Sequence, residues 1–446
     1  MEITPLHNWI SGKIGVTANT LNREVLESYQ LGKLRQTVEL ARSRSIFYRR
    51  APAGPASFAV SSLADLQRLP FTTPEDIRQN PLHFLCVSQD QVNRVVTLQS
   101  SGTTGEPKRL YFTGEDQELT VDFFHIGMST LVSPGDTVLI LLPGEVPGSV
   151  GDLLVKGLQR MGVRGIPYGL VRDPAHTLQV MAEERVNSLV GIPTQVLSLA
   201  RHRGEGEKQL PLPLKSVLLS TDYVPRAIVR ELERAWGCRV YNHYGMTEMG
   251  LGGGVECQAL AGYHLREADL YFEIIDPATG EPLPEGEEGE IVFTTLTRRG
   301  MPILRYRTGD KARFIPDPCP CGTLLKRMDR VKSRVTGSIQ VAGGVLTLAE
   351  LDEALFPLDS LLNFSASITC ENGIDVLHIN ARPAQGAGRV TTEMILTALE
   401  TIPLLKSAQM QGKMKVAPLI QVQDDNSRVN AAKRVLIDLR KPEGTR

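Results

Sequence analysis

Ser100-Ser101-Gly102-Thr103-Thr104-Gly105-Glu106-Pro107-Lys108 packs four hydroxyls, two glycines and a lysine into nine residues. Val95-Val96-Thr97-Leu98 before it and Leu110-Tyr111-Phe112 after it read as short apolar strands, so the stretch closes a strand–loop–strand unit. Glycine lets a backbone approach anionic oxygens closely. Backbone N–H groups and hydroxyls donate to such oxygens, and Lys108 adds positive charge. This is the composition of a loop that grips phosphate. It differs from the strand–GxxxxGK[ST]–helix loop, because the spacing is wrong and no helix begins at the lysine. A solvated Ser/Thr/Gly turn shares that composition, so other segments must decide.

The chain has 446 residues, enough for two or three domains and a large core. It is 41% hydrophobic and 22% charged, ordinary for a folded globular protein. The net charge of −1 gives no global field to attract nucleic acid or an anionic membrane. No apolar run reaches membrane-spanning length. Met1-Glu2-Ile3-Thr4-Pro5 lacks the basic and apolar regions of a signal peptide, so the expectation is a cytoplasmic protein. Six cysteines in so long a chain do not make a disulfide framework.

Apolar residues at helical spacing predict a helix over 20–46, weakened in the middle by Gly32. Thr73 before Pro74 reads as a helix start. Val138–Leu142 reads as a buried strand, a helix follows near 152–161, and Val217–Ser220 is strand-like. Asp222 and Pro225 open a helix that runs through Trp236 and stops at Gly237. This alternation predicts a large N-terminal α/β domain with a largely parallel sheet. Beyond 251, Leu270–Asp276 and Glu290–Thr295 read as strands around a Pro/Gly-rich turn, a β-subdomain over about 251–330. The boundaries expected are 1–334 for the N-terminal domain and 335–446 for a small α+β C-terminal domain. In the latter, Thr347 caps a helix over 348–356, Val376–Ile379 is a strand, and a helix at about 391–400 and a strand near 414–416 follow.

Three further segments carry chemistry. In Tyr241-Asn242-His243-Tyr244-Gly245-Met246-Thr247-Glu248, Gly245 allows a tight turn, Tyr244 offers a flat face, and Thr247 and Glu248 offer oxygens. A carboxylate beside a hydroxyl suits Mg²⁺ shared with substrate phosphates; a turn with a caged glutamate has the same sequence. In Tyr306-Arg307-Thr308-Gly309-Asp310, an aspartate after a glycine turn suits a pair of ribose hydroxyls, although Thr-Gly-Asp turns are common. The basic run Arg327–Arg334 is either a solvated connector or a contact to phosphate and ribose.

The order and spacing of these segments resemble the acyl-adenylate-forming superfamily of acyl-CoA synthetases, adenylation domains and luciferases. Within it the chain is most similar to the phenylacetate–CoA ligase family, through Leu69-Pro70-Phe71-Thr72-Thr73, Ser100–Lys108, Tyr244–Glu248, Phe272–Pro277, Gly289–Thr294 and Arg305–Asp310. The resemblance covers nearly the whole chain. It implies that a carboxylate attacks the α-phosphate of ATP to give acyl-AMP and pyrophosphate, after which the C-terminal domain rotates and the thiol of coenzyme A displaces AMP. By matching position, Ser100, Ser101, Gly102, Thr103, Thr104, Gly105 and Lys108 would hold the β/γ-phosphates. Ser220, Thr221 and Asp222 would lie beside the adenine, and Tyr244, with Gly245 and Met246 in its turn, would stack on it. Thr247 would touch the α-phosphate, Glu248 would hold Mg²⁺, and Asp310 would bind the ribose with Arg334 near it. The resemblance also implies an aryl or arylacetic acid as substrate and allows a homodimer.

Two departures stand out. The family's Arg-x-Asp-Asp hinge reads Arg334-Val335-Thr336-Gly337 here, with neither aspartate. The catalytic lysine of the family's Gly-Lys-Ala-x-Arg-Val pattern is replaced by Ala431 in Asn430-Ala431-Ala432-Lys433-Arg434-Val435. On an extended segment Lys433 shares a face with position 431, one β-repeat or roughly 6.5 Å away. Lys433 is thus the candidate substitute, or else a surface charge. These departures keep two rival readings open: a stand-alone adenylating enzyme that passes acyl-AMP to a carrier protein, an amine or a reductase, and a nucleotide-binding homologue that has lost its chemistry.

Cys257-x6-His264 and Cys319-Pro320-Cys321-Gly322 flank the β-subdomain. Three thiolates and an imidazole make a closed tetrahedral set for structural Zn²⁺, with no open coordination position for catalysis. Reduced thiols with an unrelated histidine are the alternative, because Cys-x-Cys is shorter than the usual Cys-x2-Cys. Some members of the resembling family carry a similar Cys-x-Cys-Gly.

Overall fold

The strands Arg94–Leu98 and Lys108–Phe112 pair antiparallel with Leu98 opposite Lys108. The computed structural model describes residues 1–50, 60–98, 106–202, 212–335, 338–384, 389–421 and 434–440. Ser100 to Gly105, Thr336, Gly337, Ala431 and Lys433 fall outside the described residues. The chain divides into two units. The first comprises Met1–Asp136, Pro143–Pro167 and Tyr241–Val331; the second comprises Thr137–Leu142, Tyr168–Val240 and Lys332–Arg446.

In the first unit the expected early helix runs from Arg23 to Arg44, started by Asn22, whose side chain accepts from the Val25 N–H at 2.9 Å. Gly32 does not interrupt it. Thr73 caps the Pro74–Gln79 helix through a reciprocal box with Asp76, as its sequence predicts. Two sets of antiparallel-paired strands follow. One contains Leu270–Ile275, Gly289–Thr295 and Tyr306–Ala312. The other contains Gly254–Glu256, Tyr263–Leu265, Arg327–Met328 and Phe314–Ile315. Between Glu290 and Val292 the register against Tyr306–Ala312 shifts by a bulge. Gly309 lies within the bulged stretch of Tyr306–Ala312 at φ +72°, a conformation that side-chain-bearing residues seldom adopt. Bulges re-aim side chains next to functional sites, and Asp310 is the next residue.

The Leu69–Thr73 and Arg305–Asp310 segments co-occur for a structural reason. Thr72 N–H donates to the Arg305 carbonyl and Arg307 N–H donates to the Thr72 carbonyl, each at 3.0 Å. The Arg305 guanidinium binds the Leu69 carbonyl at 2.9 Å, pairs with Glu273 at 3.1 Å and lies 4.1 Å over the Phe71 ring. This knot is buried beside a core that includes Leu34, Tyr48, Phe84, Leu110, Phe293 and Tyr306.

In the second unit Thr137–Leu141, Ser188–Gly191 and Ser216–Leu219 pair in parallel, and their central residues are buried. The helix Arg226–Trp236 ends at Gly237, φ +64°, as expected. The C-terminal part has a four-stranded sheet in the order Met414–Ile420, Ile374–Pro383, Leu361–Glu371, Leu436–Asp438. It also has the helices Leu348–Leu355, Thr392–Leu399 and Pro403–Met410. The strand Leu361–Glu371 is additional to those expected, although Phe364, Ala366 and Ile368 alternate with Ser365, Ser367 and Thr369 at strand spacing. Among the described residues, no helix is long and apolar enough to cross a membrane.

Candidate active site

Glu248 sits in the one-turn helix Thr247–Met249, which Gly250 closes at φ +76°. Its carboxylate is 6% exposed and pairs with the ammonium of Lys108. The Tyr306 hydroxyl donates to the same Glu248 oxygen at 2.9 Å and lies 3.2 Å from the Lys108 nitrogen. Burial alone would raise the Glu248 pKa, but the Lys108 charge, its hydrogen bond and that of Tyr306 outweigh burial and hold the carboxyl below its ordinary range. The lysine of the phosphate-loop sequence and the carboxylate suited to Mg²⁺ are therefore in contact, 140 residues apart in the chain.

Tyr244 ends the Arg239–Tyr244 strand, and its hydroxyl donates to Asp310 Oδ2 at 3.1 Å. Tyr306, Thr308 and Asp310 are the buried alternate positions of one strand. That strand therefore meets Glu248 at one end and Tyr244 at the other. Gly245 is required between them: a Cβ there would collide with the Leu251 carbonyl and the His243 ring. Met246 follows and is half-buried. His243 packs against Phe123 and Phe124, and burial pushes its pKa down to about 4, so the ring is neutral near pH 7.

Two residues of this arrangement have no role that sequence reasoning assigns. Tyr306 is legible in principle, because it stands at even spacing from Asp310 on a strand. Arg298 is not. Its guanidinium donates to the Glu248 carbonyl at 2.9 Å and the Tyr111 carbonyl at 3.0 Å, and lies 4.3 Å over Phe112. It ties the Thr247–Glu248 turn to the Lys108 strand, and no local pattern announces that link.

The other candidates belong to the second unit. Ser220 follows the Ser216–Leu219 strand and donates its N–H to the Gly191 carbonyl at 3.1 Å. Thr221 adopts φ +81°, an uncommon conformation for a β-branched residue that marks a constrained turn. Asp222 pairs with Arg434 at 3.2 Å, and Arg434 also pairs with Asp352 at 2.5 Å. Arg334 ends the short strand Ser333–Arg334 and is exposed. The ends of parallel strands are where open α/β sheets bind ligands, which is the setting of Ser220 to Asp222.

Cys257, His264, Cys319 and Cys321 are buried together in the first unit, their ligand atoms all within 4.8 Å of one another. Cys257 Sγ lies 3.7 Å from Cys319 Sγ, and Cys321 Sγ 3.5 Å from His264 Nε2. Zinc bonds of ~2.3 Å to sulfur and ~2.0 Å to nitrogen give tetrahedral edges of about 3.7 and 3.5 Å, so the donor set fits the ion. His264 Nδ1 is buried without a partner among the described residues.

The hairpin strands, the Lys108–Glu248–Tyr306 cluster and the Tyr244–Asp310 pair bring the candidate nucleotide-binding side chains together in the first unit. Residues 13–296 match the family model of the AMP-binding enzymes, and the chain belongs to that family. It is 32% identical to the phenylacetate–coenzyme A ligase of Thermus thermophilus over 73% of this chain and 74% of that one. It is 27% identical to the phenylacetate–coenzyme A ligase of Escherichia coli over 84% and 86%. The chain is thus a member of the phenylacetate–CoA ligase branch. The fold is also that of a solved 2-hydroxyisobutyryl-CoA ligase in its postadenylation state, at a TM-score of 0.78 and 23% identity, covering 94% of this chain and 90% of that one.

Proposed function

We infer that this AMP-forming acid–coenzyme A ligase acts on an aryl or arylacetic carboxylate. The acid oxygen attacks the α-phosphorus of ATP, the bond to the bridging oxygen breaks, and pyrophosphate leaves. The thiol of coenzyme A then attacks the acyl carbon, releasing AMP and a proton. Chemistry of this kind is positioning plus charge neutralisation, and the contact among Lys108, Glu248 and Tyr306 carries the reading.

In this scheme Lys108 leaves Glu248 for the β/γ-phosphates when ATP binds, joined by Ser100 to Gly105. Glu248, freed of that counter-charge, would hold Mg²⁺, which supplies further neutralisation of phosphate charge. Thr247 donates its hydroxyl to the α-phosphate. Tyr244 would stack on the adenine, and by the resemblance Ser220, Thr221 and Asp222 would lie beside it. Asp310 accepts from the ribose hydroxyls, and Arg334 sits near them. Lys433 takes the place of the lysine missing at Ala431. Cys257, His264, Cys319 and Cys321 would hold structural zinc, with no open coordination position for catalysis. A cytoplasmic setting and a homodimer complete the proposal.

The test is AMP release from ATP with a panel of aryl and alkyl acids, each with and without coenzyme A, products identified by mass spectrometry. Acyl-CoA is the expected product. Acyl-AMP that is never transferred to coenzyme A would instead favour the stand-alone adenylating enzyme, and ATP binding without AMP release would favour the degraded homologue. Lys433→Ala should lower adenylation about 10²–10³-fold, the usual effect of removing one preorganised transition-state contact; an unchanged rate would remove Lys433 from the mechanism.

A further inference from the structure

A cavity of ≈ 200 Å³ in the first unit opens beside Thr247, the residue placed at the α-phosphate. An engineered apolar cavity of ~150 Å³ holds benzene, so this one has room for a ring and a substituent. Its walls are mainly apolar, with Val96, Phe112, Val150, Leu153 and Leu251. The Thr247 corner is fixed by the Thr120 hydroxyl, which donates to the Gly250 carbonyl at 2.8 Å.

A second corner has opposite chemistry. Gln117 lies about one helical turn before Thr120. A Cβ on Gly148 would collide with the Gln117 amide and come within 3.3 Å of the Arg94 side chain, so all three residues meet there. Arg94 Nε and Ser149 Oγ are sealed from solvent without a hydrogen-bond partner among the described residues. The carboxylate of the same loop, Asp152, is engaged by the Gly148 N–H at 2.7 Å and Lys156 at 2.8 Å. Arg94 forms no ion pair with it. A guanidinium N–H sealed beside an apolar cavity without an acceptor is costly until a ligand supplies one. Glycine at 148 leaves that corner open.

We propose that the acid taken by this pocket carries a second anionic group at the end remote from its reacting carboxylate. An aromatic dicarboxylate of single-ring size would be bound at its far end by Arg94, Gln117 and Ser149. The inference rests on the ligase reading and narrows its substrate. Arg94 begins its strand, four residues before Leu98 and so roughly 13 Å from the phosphate-loop end. The cavity, not the triphosphate, is therefore its natural partner.

The test compares phenylacetate with 4-carboxyphenylacetate. Calorimetric titrations of each acid are made in the presence of α,β-methylene-ATP, alongside AMP release with ATP. The diacid should bind the wild-type protein at least tenfold more tightly. Arg94→Gln should bring the two acids within about threefold of each other, and Arg94→Lys should restore part of the preference. Equal binding of both acids to the wild-type protein overturns the proposal, whatever the variants do. It is also overturned if Arg94→Gln weakens the nucleotide and leaves the acid ratio intact. Ser149→Ala, expected to narrow the ratio, provides a second variant should Arg94→Gln fail to fold. If neither acid releases AMP, the ligase reading fails, while the binding ratio still decides what the pocket prefers.

Discussion

Replacing Arg434 with methionine should destabilise the second unit by about 3–5 kcal/mol, the range for breaking one partner out of a buried ion pair. Arg434 is 12% exposed, Asp352 is fully buried and Asp222 is 9% exposed. The guanidinium also lies 5.1 Å over Phe356 and 5.3 Å over Phe364. Methionine keeps most of that apolar contact and removes only the charge. At about 2–4 °C per kcal/mol for a unit of this size, the expected fall in Tm is roughly 6–20 °C, read by scanning calorimetry. The pH dependence has a definite sign. Burial pushes the Asp352 carboxyl up to about 7, against the downward pull of Arg434. A raised carboxyl is protonated in the folded chain while ionised in the unfolded one, so its stabilising effect is lost as pH rises from the ordinary carboxylate range to its folded pKa. In the wild-type protein that loss ends near pH 7. Without Arg434 the folded pKa climbs, and the loss continues above pH 7 at about 1.4 kcal/mol per unit. The gap between variant and wild type should therefore widen between pH 7 and pH 8.5. Adding Asp352→Leu should recover at least half of the loss, because a buried pair replaced by apolar groups costs little. A fall of less than 1 kcal/mol in Arg434→Met, or a double variant no more stable than the single, would refute the reasoning.

Other perturbations give separate readouts. Tyr306→Phe removes the hydroxyl shared by Glu248 and Lys108; a hydrogen bond to a charged group contributes about 1.5–3 kcal/mol, so Tm should fall and the KM for ATP should change, as a melting curve and initial rates would reveal. Cys321→Ser should purify with less than stoichiometric zinc by mass spectrometry and unfold at lower temperature, whereas an unaltered metal content would argue against the four-ligand site. Gly32→Ala lies inside the Arg23–Arg44 helix with open space at its Cβ, and should stabilise the first unit by about 0.5–1 kcal/mol in thermal unfolding.

Local chemistry makes much of this protein legible in its amino-acid sequence. The strands flanking Ser100–Lys108, the Thr73–Pro74 helix start, the Gly237 stop and the Thr347 cap each depend on residues within a few positions of one another, and each forms as its sequence predicts. The Tyr244–Glu248 and Arg305–Asp310 segments are legible as chemistry because turn residues, a carboxylate and a flat ring occur together. What the sequence by itself does not supply is their meeting. Lys108 finds Glu248 because a hairpin and a one-turn helix pack together, and Arg298 joins them through backbone carbonyls that leave no trace in side-chain pattern. Tyr306 turns toward Glu248 because the pleat puts it on the Asp310 face, and the bulge at Gly309 sets where that face points. The four zinc-type ligands are legible as a spacing, but only strand pairing brings Cys257 and His264 to Cys319 and Cys321. The cavity beside Thr247 is beyond sequence altogether. Arg94, Gln117 and Gly148 belong to a strand, a helix and a loop, and a guanidinium nitrogen sealed beside an apolar space without an acceptor exists only once those three have packed.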